Sequence, residues 1–391
     1  MSELLIELFS EEMPPSLQIN ARNQLKKLFI EELSSVNLSY KSLEVYSTPT
    51  RLTIFISDLP KKIKILPSEV KGPKLGVPQN VVESFAKSKN LSVDDLFEKK
   101  LDKGTFYFAK LKGKEINTEN ELSKIIHKSL NGISWKKSMK WSHYNLNWGR
   151  PLRSILSIFD KKHFKFKYAH LDSVNYTLIE NDTDTMQKKI EDFQGYSKLL
   201  QQNEIILDHN KRLKFISEKI QSICKIRSCK ELIDQSLLLE VSNLVDKPVI
   251  VMAKFDKDYL KLPKEVIQST LQSHQRYFTL IDHKEKMMNE FVIISNKKDI
   301  KKLIRTGNER VVEARLSDAS FFWERDKSLN LIKQINKLKQ VTFYENLGSI
   351  YEKTQRLRKM AYFISDQLDL NKEKVEIAAS VSKSDLVSGI V

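Results

Sequence analysis

A multidomain protein of mixed strand and helix, α+β or α/β, is what the sequence predicts, on three observations. At 391 residues the chain is too long for a single core, so two or three domains are expected. Residues 2 to 59 run strand, helix, strand, the opening of a layered sheet-and-helix unit. Beyond Lys301 the apolar spacing is helical to the end. The expected division is an N-terminal α/β domain over 1–165, a second α/β domain over 166–300 and a helical region over 301–391.

Each element follows from local pattern. Residues 2 to 9 alternate loosely, as a strand does. Pro14 and Pro15 then open a helix carrying Leu17, Ala21, Leu25, Leu28 and Leu33. Glu44 to Ser57 is a β-branched run broken by Pro49, and Arg51 stands at that turn, where a basic side chain reaches a ligand or simply lies in solvent. Prolines and glycines from Pro60 to Pro78 predict a connector. A short helix follows Asn80, a turn follows Leu91, a strand spans Thr105 to Lys112, and a helix spans Glu119 to Leu130. Trp135 to Arg153 interleaves three tryptophans with Lys136, Lys137, Lys140, Arg150 and Arg153. Such a mixture builds a stacking and phosphate-binding surface for single-stranded RNA, although tryptophans equally build cores.

Residues 154 to 168 read as two strands, and polar residues from Asp172 to Gln194 predict a domain edge or inserted loop. Helices are expected over Asp208–Cys224 and Leu232–Leu244, a buried strand over VIVMAKF after Pro248, and a helix over Pro263–Ser273. The strands of HQRYFTLID and FVIISN follow. His274, Gln275 and Arg276 fall just before the first of these strands, where their side chains converge at its mouth.

The stretch from Gly307 to Glu324 is the most informative. Thr306 and Glu309 have the spacing of a capping box, so a helix is expected to start there. Val312, Leu316, Ala319 and Trp323 make one apolar stripe, with Phe321 and Ala314 nearly opposite and Val311 and Phe322 to one side, so the helix is expected to be covered on more than one face. Arg315 then needs Asp318 or Asn308 as acceptor. A semi-buried Arg315–Asp318 pair is the structural expectation, its loss costing about 2–4 kcal/mol; direct ligand contact is the functional one.

Composition excludes several classes. With 40% hydrophobic and 30% charged residues the chain is neither disordered nor membrane-embedded, and no apolar run reaches the length of a spanning helix. Glu3, Glu7, Glu11 and Glu12 stand where a targeting peptide needs positive charge, so a cytoplasmic location is expected. The two cysteines, Cys224 and Cys229, read as reduced and inert. A formal charge of +16 and pI near 9.4 fit a polyanionic partner, or a lysine-biased composition with no particular patch.

The segment GNERVVEARLSDASFFWE resembles GNERV-x-x-ARL-x-DA-x-FFWE of the beta subunit of bacterial heterotetrameric glycyl-tRNA synthetase. LLIELFSEEMPP, YSTPTRL, KSMKW with RPLRSIL, LLLEVSNLVDKPV, HQRYF, VIISN, LGSIYEKTQR and SKSDLV match further family segments in order. The resemblance covers the chain as given and implies an N-terminal portion, without the family's C-terminal anticodon-binding region. It implies an α2β2 enzyme in which the alpha subunit uses ATP and Mg to activate glycine, while this chain binds no cofactor and orients tRNA(Gly). It also implies a helical region like the His-Asp (HD) superfamily fold. The candidate tRNA contacts are Arg51, Lys136, Lys137, Lys140, Trp141, Arg150, Arg153, His274 and Arg276. Where the family has T-R-G-H-R this chain reads YAHLDS, and only His170 corresponds.

No catalytic centre is visible. The ten glycines include no pair two or five apart, which excludes G-x-G and G-x-x-x-x-G-K phosphate loops, and no histidine is followed by aspartate. The competing class is a free-standing HD-like metal-dependent phosphohydrolase or RNA-processing enzyme built from His170, His274, Asp318 and Asp385.

Overall fold

The computed structural model describes residues 2–65, 67–101, 104–111, 114–181, 184–231 and 234–389. These form two compact units, the first of residues 1–215 and 239–248, the second of 216–238 and 249–391. Residue 165 falls inside the first unit and residue 300 inside the second.

The first unit is organised on its N-terminal strand, Ser2–Ser10, the centre of a five-stranded sheet. Arg51–Leu59 and Leu152–Phe159 pair with it on either side, and Ser42–Ser47 and Lys162–His163 are the edges. Every pairing is antiparallel, so the strand–helix–strand opening leads to an α+β layer rather than a parallel α/β one. Successive side chains of a strand point to opposite faces, which sorts the LLIELF run. Leu4, Ile6 and Leu8 join a core with Leu17, Ala21, Leu25, Phe29 and Leu33 of the helix Pro15–Ser35. Leu5 joins a second core with Leu156, Ile158, Ile179 and Tyr196. Both faces are covered, and this is why the alternation in the sequence was loose.

Two expectations are corrected here. The proline-punctuated segment after Pro60 is not a bare connector. Lys62–Ile65 pairs with Lys114–Asn117, and Ser68–Lys74 joins a three-stranded sheet with Gly104–Leu111 and Leu96–Leu101. The polar stretch after Asp172 contains a hairpin, Tyr176–Glu180 with Thr185–Lys189. The expected helices at 119–130 and 208–224 are found as Thr118–Asn131 and His209–Ile226, and the one ending at Leu244 as Gln235–Ser242. Lys112 and Leu232, expected element ends, lie outside the described residues.

The second unit holds a four-stranded antiparallel sheet ordered Lys230–Glu231, Phe278–Ile281, Met287–Ser295, Val249–Lys254. On it packs the long helix Leu303–Lys327, whose Val312 and Leu316 are buried against Val251, Ala253, Tyr277, Phe291 and Ile293. That helix starts earlier than the capping box implied. The Asp299 carboxylate accepts the amides of Ile304 and Arg305, while Glu309, a turn inside, accepts from Arg305 Nε and the Lys254 amide. Its outer faces are open: Phe321 is 64% exposed and Val311 41%, so the expectation of cover on several sides fails. The remainder is mainly helical, with Ile350–Gln367 held at its start by a Ser349/Glu352 capping box and with Lys372–Val381. One small hairpin, Thr342–Tyr344 with Gly348–Ser349, interrupts it.

Candidate nucleic-acid interface

Glu7 lies on the second-core face of the central strand and is fully enclosed. Such a carboxylate is costly unless paired, and every neighbour serves it. Arg51 Nε donates at 3.1 Å, Thr177 Oγ1 at 2.6 Å and the Tyr196 hydroxyl at 2.5 Å. Burial, and next Glu7's charge, push the Tyr196 phenol well above its ordinary pKa. Arg51 begins its strand opposite Phe9, whose ring its guanidinium covers at 4.7 Å, and it also approaches Asp246 at 3.6 Å and the Leu178 carbonyl. Its side chain is 3% exposed. Arg51 is therefore committed inside the fold, which corrects its assignment as an RNA contact.

Two more arginines sit in this unit's interior, and sequence reasoning missed them. Arg212 donates to the carbonyls of Ser242, Ile206 and Ser47, closing the end of the helix Gln235–Ser242, and burial lowers its pKa to about 10. Arg22 donates to Ser47 Oγ at 2.7 Å and is likewise lowered to about 10 by burial. The signal was available, since Arg212 precedes Ile216, Ile220 and Cys224 on one i,i+4 stripe. A cation on an apolar stripe implies carbonyls waiting for it. His209 beside them is lowered to about 4, first by burial and then by Arg22.

The basic and aromatic segment divides by residue type. Trp148 is core, its backbone bridged to Met139, with Trp135 tilted against it at 4.9 Å. Gly149 is required there, because a Cβ would lie 2.6 Å from the Trp135 ring. Trp141 is half-buried, edge-on to His170, and Tyr144 stacks on His170 at 3.7 Å. Arg150 donates to the Gly149 carbonyl, and Arg153 pairs with Glu180 and Glu11. Lys136, Lys137 and Lys140 stand in solvent, Lys140 donating to Asn145 at 2.9 Å. Of this segment Lys136, Lys137 and Lys140 reach solvent, whereas Trp141 also packs against the first core.

In the second unit, His274 and Arg276 follow a π-helical turn, Ser269–Ser273, and Arg276 has a left-handed backbone, φ +61°. Wide helical turns and left-handed non-glycine residues cost energy and gather at functional positions. The Arg315–Asp318 pair is absent among the described residues, and both side chains are exposed. No bond from Arg315 to Asn308 occurs among the described residues either; the Asn308 oxygen takes the Tyr277 hydroxyl. With the Gln275 amide turned so that its oxygen faces Arg315, that oxygen accepts from Arg315 Nε at 2.6 Å and from a terminal nitrogen at 3.2 Å. Arg315 thus bonds to the HQR element, and with His274 and Asp318 it lines a cleft of about 370 Å³.

A larger cleft, about 1240 Å³, lies at the small hairpin and the head of helix Ile350–Gln367. Three of its charged groups are engaged, since Glu352 caps the helix, Arg356 donates to the Leu347 carbonyl and Lys339 covers the Tyr351 ring, while Glu345 also lines it. For the hydrolase reading, His170 belongs to the first unit and His274, Asp318 and Asp385 to the second. No group of three His, Cys, Asp or Glu side chains fit to hold a metal occurs among the described residues. Cys224 and Cys229 are buried and unbridged, and burial raises the Cys224 thiol further from reactivity.

The chain is a layered, largely antiparallel α+β protein with lysines presented beside aromatics, and comparison with known proteins specifies its family. The family model described as glycyl-tRNA synthetase beta subunit matches residues 4–391, so the chain belongs to that family. Similar proteins include the glycine–tRNA ligase beta subunits of Rickettsia prowazekii and Rickettsia bellii, each 36% identical across the whole chain. That of Rickettsia felis is 35% identical. The chain spans 58–59% of the length of these relatives.

Proposed function

We propose that the chain serves, within the beta subunit of a glycine–tRNA ligase, to bind and position tRNA(Gly) for ATP-dependent aminoacylation carried out with an alpha subunit. The observation that carries this reading is the family match along essentially the whole chain. The net charge of +16 supports it, since lysine and arginine neutralising phosphates dominate affinity for RNA. ATP and Mg belong to the alpha subunit's chemistry in this reading, and the assembly is an α2β2 tetramer in the cytoplasm. Orienting the terminal adenosine towards an adenylate held elsewhere contributes several kcal/mol through proximity alone. The helical region from residue 301 is the start of an HD-like domain used as scaffold.

The test is direct binding of tRNA(Gly) by the 391-residue chain, alongside pyrophosphate exchange. Binding that weakens steeply with salt, with no exchange by the chain alone, is expected. Absence of tRNA binding at low salt, or exchange above a mock preparation, overturns the reading.

A further inference from the structure

The cleft on the helix Leu303–Lys327 combines groups that are rarely left side by side. Arg315 and Asp318 are one helical turn apart, close enough to pair, yet no bond joins them among the described residues. Arg315 is turned to Gln275, which takes Nε and one terminal nitrogen and leaves further guanidinium donors unused on a residue that lines the cleft. Its charge is also felt at the buried Tyr277 phenol, which it draws down against the upward push of burial. Asp318 is exposed and has no bonded partner among the described residues, and Glu265 stands exposed on the same cleft. His274 and Phe322 also line it. A fixed cation, a carboxylate one turn away, an imidazole and an apolar wall match a phosphate, the neighbouring ribose hydroxyl and a base edge. The volume of about 370 Å³ suits one nucleotide.

We infer that this cleft holds one nucleotide of single-stranded RNA, with Arg315 donating to the phosphate and Asp318 accepting from the ribose 2′-hydroxyl. The 2′-hydroxyl is the group by which a protein distinguishes RNA from DNA at a given site. Gln275 is a positioning residue: it fixes the fork of Arg315, and the π-helical turn with the left-handed Arg276 sets Gln275 in place. The inference rests on the reading of the chain as an RNA-binding subunit.

The experiment measures fluorescence anisotropy of the 391-residue chain with three probes: whole tRNA(Gly), a labelled single-stranded oligoribonucleotide and its deoxy counterpart. Arg315→Ala is expected to weaken both oligonucleotides about tenfold, the scale of a lost charge-assisted hydrogen bond, with Arg315→Lys recovering part of that loss. Asp318→Ala is expected to weaken the ribo-oligomer about tenfold and leave the deoxy-oligomer unchanged or tighter, so that the RNA preference collapses. Each variant's melting temperature is expected to match the parent's, and Asp318→Ala decides alone if an arginine variant fails to fold. Undiminished RNA preference in Asp318→Ala overturns the inference; if tRNA still binds, the RNA-subunit reading survives it. A parent chain that binds neither tRNA nor oligomer brings down both.

Discussion

Arg51 and Arg315 occupy opposite kinds of place. Arg51 begins a central strand of a sheet packed on both faces, so its side chain enters a core and is enclosed with Glu7, Asp246 and a phenylalanine ring. Arg315 stands on a helix that packs by one narrow stripe, so its side chain emerges beside a cleft and its bonded partner is an amide oxygen. Removing one partner of an enclosed pair strands the other charge in low dielectric, whereas an exposed arginine costs the fold little and is available to a ligand. The same guanidinium is mortar in the first unit and a reaching group in the second. Element type and the number of covered faces decide which.

Four outcomes sharpen or break that contrast. The largest concerns Arg51→Ala, expected to cost about 3–5 kcal/mol because Glu7 is left buried without its cation; urea unfolding that loses less than about 1 kcal/mol breaks the contrast at its first term. Next comes pH. His209 faces Arg22, Arg212, Lys26 and Asp208, and burial with these cations lowers it to about 4 from its ordinary 6.5. Between those values the unfolded chain binds the proton and the folded chain does not, so stability falls as pH drops from 6.5 to about 4 and levels off below. His209→Gln is expected to flatten that part of the melting-temperature profile, and an unaltered slope shows that the ring is solvated. A smaller gain is expected at Ala169, held left-handed at φ +51° in the turn before His170. The family element T-R-G-H-R has glycine there, and Ala169→Gly is expected to stabilise by roughly 1 kcal/mol by removing that strain. The smallest effect is Arg315→Ala, within about 0.5 kcal/mol in the same unfolding assay; a loss of 2 kcal/mol or more returns it to the role of structural ion pair.

What the sequence revealed follows the same physics. The central strand, the proline-started helix, the VIVMAKF and FVIISN strands and the Val312–Leu316 stripe were legible because periodicity records which face is covered. The antiparallel pairing was not, since strand order depends on partners distant in the chain. Nor were the strands after Pro60, where prolines sit beside short pairings that punctuation hides. At the site, one-dimensional reasoning placed Arg51 at a turn and Arg315 inside. It recognised a basic element in each case but had no measure of how many layers lay over it. Arg212 went unnoticed despite its place on an apolar stripe, because its partners are backbone carbonyls that no residue type names, and Arg22 because its partner, the Ser47 hydroxyl, lies on a strand that the sequence does not show to be its neighbour.

The central claim, that exposed cations of this chain hold tRNA while enclosed ones hold the fold, is tested most directly by the salt dependence of tRNA(Gly) affinity. The comparison is between the parent and a Lys136→Ala, Lys137→Ala, Lys140→Ala triple variant. The account predicts normal folding, weaker binding and a log-log slope reduced by about 0.7–0.9 for each phosphate contact removed. A folded triple variant with the parent's affinity and slope contradicts it.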